Sequence, residues 1–153
     1  MEERKRKTPE QRAGLGKYMI GAALASIVAV VLNNLYHIVY TAATGIEGPQ
    51  TINAVSISIV TVVAILFGGL VYFVLSRMTR YATVLFVIGG LLAAAATTSA
   101  SFMPFTPPAK ALYPAQYVLL AAPMHFIAGL CCVWIIPSIV RLRKKRWRSE
   151  LHG

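Results

Sequence analysis

Seven side chains set inside long apolar stretches carry the hydrogen-bonding chemistry of this sequence: Asn33, Asn34, His37, Thr61, Thr97, Thr98 and His125. An amide or a neutral imidazole surrounded by hydrocarbon needs a partner, so such groups turn inward and bond to one another across helices or to a bound molecule. Asn33, His37 and Thr41 recur at a spacing of four, which on a helix places them on one face, with Asn34 and Tyr40 beside it. Haem is the sharpest cofactor alternative, because His37 and His125 on different helices could be axial ligands if they shared a depth. A mononuclear metal site is a poorer fit: His125 and Cys132 share a helical face, but no third or fourth donor has matching spacing. Cys131 and Cys132 are adjacent rather than a C-x-x-C pair, so they read as small apolar core residues. No nucleophile has a base oriented by a third group, since the apolar stretches hold no carboxylate. The expectation is no catalytic residue, no metal and no cofactor, with a polar layer as the one candidate site.

The elements that must position this layer follow from composition. Of 153 residues, 57% are hydrophobic and 13% charged, against roughly 45–50% and about 25% in soluble domains. A soluble domain of this size could not hide so much apolar surface, which excludes a disordered chain, a nucleic-acid module and a conventional soluble enzyme. Four apolar segments, at about 18–40, 52–76, 81–103 and 115–140, contain no Asp, Glu, Lys or Arg. Each reaches the roughly 20 residues that cross a bilayer core, where one central charge would cost at least ~2.5 kcal/mol. Short turns between them predict an all-α membrane protein, an antiparallel four-helix transmembrane bundle. Gly21, Ala25, Gly68, Gly69, Gly89 and Gly90, with Ala128 and Gly129, offer smooth patches where backbones can approach.

At about 1.5 Å per residue from the ends opposite the basic clusters, Asn33 lies roughly 10 Å deep, Thr61 roughly 13 Å, Thr97 and Thr98 roughly 8–9 Å and His125 roughly 15 Å. These depths define one layer shared by four helices. Pro123 cannot donate to the carbonyl of Leu119, so a bend is expected near His125.

Fourteen of the fifteen basic residues fall on one side of the four segments, in the N-terminal arm, the Ser76–Arg80 turn and the C-terminal tail; Lys110 alone falls on the other. The positive-inside rule then predicts a multi-pass plasma-membrane protein with both termini cytoplasmic. The first segment is too long for a signal-peptide core and contains Asn33, Asn34 and His37, so it reads as a retained span. Residues 1–17 form a basic cytoplasmic arm, residues 18–140 the transmembrane domain and residues 141–153 a basic tail. Thr8-Pro9-Glu10-Gln11 is a helix-start pattern and predicts a short helix in the arm. In the tail, Arg141, Arg143, Lys144, Lys145, Arg146 and Arg148, with Trp147, suit anionic headgroups at about 1 kcal/mol per basic residue.

Met124-His125-Phe126-Ile127-Ala128-Gly129, together with Asn33, resembles a group of uncharacterised bacterial four-span membrane domains with a similar Met-His-x-x-Ala-Gly patch in the last helix. The resemblance covers almost the whole chain and implies a fold, a bacterial plasma membrane and a part for His125, but no reaction. Asn33-Asn34 and Cys131-Cys132 are departures from that pattern. The leading functional reading is a structural or partner-binding bundle. The alternative is an externally open polar pocket around Asn33 and His125 for a small polar or amphipathic ligand or a lipid headgroup. The bilayer and anionic headgroups are the expected partners, a second copy or another membrane protein stays open, and nucleic acid is not expected.

Overall fold

The computed structural model describes residues 8–45, 53–100 and 117–142. Among these the elements are all helices: α1 (Pro9–Arg12), α2 (Leu15–Thr44), α3 (Ala54–Met78), α4 (Ala82–Ala100) and α5 (Tyr117–Arg141). The last four contain stretches long and apolar enough to cross a membrane, which makes this the architecture of a multi-pass membrane protein.

Local chemistry explains where the helices begin and end. Thr8 Oγ1 accepts from the Gln11 amide and Gln11 Oε1 accepts from the Thr8 amide, so α1 starts in a capping box. Asn53 Oδ1 accepts from the Val55 and Ser56 amides at 3.0 Å each and opens α3. Helix α2 continues a turn past Tyr40, with the hydroxyls of Thr41 and Thr44 bonded back to the carbonyls of His37 and Tyr40. It stops at Gly45, whose φ of 67° is a left-handed conformation that a residue without a Cβ adopts freely.

The four long helices form an antiparallel ring. Helix α2 packs against α3 and α5, α4 packs against α5 and α3, and α2 and α4 lie on opposite corners. The residue pairings run in opposite senses, as antiparallel neighbours require: Tyr18 meets Tyr72 while Asn33 meets Thr61, and Lys17 reaches Val140 while Tyr36 reaches Leu119. Backbone approach sets the tightest crossings. A Cβ on Gly69 would fall 2.7 Å from Ala22 Cβ and 3.4 Å from the Tyr18 carbonyl oxygen, so only glycine fits between α2 and α3 there.

One end of the ring is sealed by α1. Glu10 is 9% exposed, although it is the only acid in the described arm. Its Oε1 accepts from Arg141 Nε at 2.8 Å and from Thr83 Oγ1 at 3.2 Å. Tyr18 donates to the Glu10 carbonyl at 2.8 Å, and the Tyr72 and Thr83 hydroxyls are 2.7 Å apart. Arg77 donates to the Gln11 and Ala13 carbonyls at 2.7 and 3.0 Å, satisfying the end of α1. Lys17 Nζ bonds the Val140 and Leu142 carbonyls, a cation on the C-terminus of α5. Tyr18 packs edge-on against Tyr72 with centroids 5.2 Å apart, and Phe86 stacks on Tyr72 at 4.6 Å.

Candidate functional site

Toward the other end of the ring, a cavity of about 260 Å³ lies between α2, α3 and α5. Asn33 of α2, Ser56 and Thr61 of α3, and Met124 and His125 of α5 line it, with aliphatic side chains between them. Asn33 is 1% exposed. Its Nδ2 donates to Thr61 Oγ1 at 3.1 Å, and its Oδ1 has no partner. Whichever way the amide is turned, one of its two polar atoms is left over, because Thr61 occupies only one of them. His125 is half-buried and forms no hydrogen bond among the described residues. The volume suffices for a small polar group rather than a single water.

Proline chemistry shapes the α5 wall. Pro123 has no N–H, which frees the Leu119 carbonyl, and Tyr36 of α2 donates its hydroxyl to that carbonyl at 2.8 Å. The missing helical bond is thus replaced by a tie between α2 and α5 beside the cavity, and α5 continues unbroken through Pro123 and Pro137 to Arg141.

The remaining polar residues are dispersed. Asn34 Nδ2 donates to the Val30 carbonyl at 2.8 Å and to Ser58 Oγ at 3.1 Å, and its Oδ1 is unpartnered, but it lies outside the cavity wall. His37 is half-buried and lines neither this cavity nor the groove described next, so it and His125 do not share a site. Thr98 is buried with its Oγ1 unpartnered, also away from the cavity. Thr97 is exposed, and its hydroxyl bonds back to the Ala93 and Ala94 carbonyls at 2.9 and 3.0 Å. Arg141 reaches Glu10; Arg143, Lys144, Lys145, Arg146, Trp147 and Arg148 lie outside the described residues.

A second space of about 440 Å³ adjoins the cavity. It is a groove between α3 and α4 with α5 as its floor, and Val60, Ala64, His125 and Ala128 form walls of both spaces. Neither space is lined by a charged side chain. Among the described residues no three His, Cys, Asp or Glu side chains cluster to hold a metal, and Cys131 and Cys132 are free thiols. The chemistry at hand is therefore hydrogen bonding to a neutral group at one end and apolar contact along the rest.

Residues 5–142 match a family of unknown function, DUF6069. The chain belongs to that family. No curated protein and no solved structure matches it. Two features of this DUF6069 chain lay beyond the sequence reading. Ser56 joins the cavity wall because Asn53 starts α3 close below it, and Tyr36 answers a freed carbonyl whose existence, though not its partner, was legible from Pro123.

Proposed function

We propose that this DUF6069 protein is a membrane-embedded binding protein that holds the polar part of a small ligand between α2, α3 and α5. Asn33 and His125 orient the ligand, and Thr61 fixes the Asn33 amide. The observation that carries the reading is the leftover amide atom of Asn33, 1% exposed and on a cavity wall. An unsatisfied buried polar atom costs about 1–3 kcal/mol, and of the three such atoms among the described residues, on Asn33, Asn34 and Thr98, only that of Asn33 belongs to a residue on the cavity wall, where a ligand can meet it. The sealed end, with the N-terminal arm, the α3–α4 turn and the basic tail, faces the cytoplasm of a bacterial plasma membrane in this proposal, in keeping with its fourteen basic residues. The tail then lies against anionic headgroups.

The competing reading is a structural or partner-binding bundle, and one comparison separates the two. The double substitution Asn33→Leu with Thr61→Val removes both members of the bonded pair. Replacing both partners by apolar groups of similar shape is close to neutral for stability. Binding predicts that the doubly substituted protein keeps its thermal stability in detergent and loses a small molecule that co-purifies with the parent, read by native mass spectrometry. If the mass spectra of the two proteins are the same, Asn33 is interhelical glue and the binding reading is wrong.

A further inference from the structure

The cavity and the adjoining groove differ in chemistry but share walls, so a molecule anchored by Asn33 has one apolar path open to it. That path runs from His125 toward the α3–α4 turn, and Leu85 to Thr97 of α4 mark about 18 Å of it. Its lining is almost wholly aliphatic, aromatic or glycine, and the Thr97 hydroxyl is already bonded within its own helix. Gly89 keeps the path open: a Cβ placed there would meet nothing within 4 Å, unlike the closely opposed Gly69.

Charge narrows the head. With no charged side chain on either wall, a phosphate or carboxylate would lose its water without gaining a counter-ion, a cost of several kcal/mol per ion in general. A hydroxyl both donates and accepts, so it satisfies whichever atom of the Asn33 amide is left over and can pair with either tautomer of His125. We infer that the ligand is a neutral amphiphile with a hydroxyl-bearing head in the Asn33–His125 cavity and one hydrocarbon tail in the α3/α4 groove. This rests on the binding reading above and adds the ligand's class and its path.

The test uses the full chain in phosphatidylcholine nanodiscs. The probe is a long-chain monoacylglycerol with a photoreactive diazirine in mid-tail, compared with a lysophosphatidate and a fatty acid bearing the same tail. The expected result is that the monoacylglycerol labels α4 peptides around Leu85–Gly89 and is competed by unlabelled oleoyl glycerol, while the two anionic probes label weakly. Asn33→Leu lowers this labelling at least about five-fold, the equivalent of one lost hydrogen bond. Gly89→Leu fills the groove and removes labelling of α4.

Equal labelling by the anionic probes would overturn the neutral head. Labelling that Asn33→Leu leaves unchanged, or that excess oleoyl glycerol does not compete, would mean that bulk lipid tails fill the groove and would overturn the inference. Should monoacylglycerol bind in an Asn33-dependent way by native mass spectrometry yet never label α4, the tail path falls and the binding reading stands. If no probe binds and nothing co-purifies, both fall.

Discussion

The two ends of the bundle handle buried polar groups in opposite ways. At the sealed end the Glu10 carboxylate meets Arg141 and Thr83, Thr83 also meets Tyr72, and the last carbonyls of α1 and α5 are taken by Arg77 and Lys17. Near the other end Asn33 retains an unpaired amide atom and His125 faces open space. Completed networks stabilise and fix geometry, whereas an incomplete one lowers stability unless something else completes it. The contrast is the basis of the proposal that the first region holds the bundle together and the second binds.

The sharpest way to break this comparison is to exchange its tight and open surfaces. Gly69→Val drives a side chain into Ala22 and the Tyr18 backbone and is expected to cost about 1–3 kcal/mol or more of stability as overpacking. Gly89→Val enters open space and should shift the melting temperature in detergent hardly at all. Equal losses from the two variants would show that the space beside Gly89 is closed in the folded protein.

A smaller effect tests the sealed end. Glu10→Gln removes the ion pair with Arg141 and is expected to lower stability by about 1 kcal/mol, since Arg141 is half exposed and solvent weakens the pair. Burial pushes the Glu10 carboxyl up, but the bonds from Arg141, its own backbone, Thr8 and Thr83 outweigh burial and hold it below the usual carboxylate value. A carboxyl depressed in the folded state stabilises the fold above its unfolded pKa and loses that contribution as pH falls through the folded value. Melting curves of the parent should therefore decline on acidification below the ordinary carboxylate range, and Glu10→Gln should flatten that decline. An unchanged pH profile would remove Glu10 from the account.

The smallest effect belongs to the tie beside the cavity. Tyr36→Phe leaves the Leu119 carbonyl without the hydroxyl that replaces its missing helical bond. A loss of up to about 1 kcal/mol is expected, together with faster backbone hydrogen exchange in the turn of α5 that contains Pro123. Exchange identical to that of the parent would mean that the bond does not restrain α5.

The four helices were legible because the signal is long and local. Eighteen or more residues without a charge declare a span whatever surrounds it, and Thr8 with Gln11 or Asn53 with Ser56 declare a helix start within four positions. Depth was also legible: counting residues put Asn33 near Thr61, and the two are bonded. Rotation about each axis was not. Helices that are apolar nearly all round carry no phase, so His37 and Thr98 share the stripe or layer in sequence yet stand outside the cavity. Glu10 was readable only as part of a helix start, because its partner Arg141 is 131 positions away and nothing local points to it.

That separation has a consequence during synthesis. At common translation speeds the ribosome needs on the order of ten seconds to travel from Glu10 to Arg141, and throughout that interval the Glu10 carboxylate lacks its ion-pair partner. The lock on the bundle can be turned only by its final helix. Until then the arm can be held only by Tyr18, Arg77 and Thr83, and the cationic contact is the last to close.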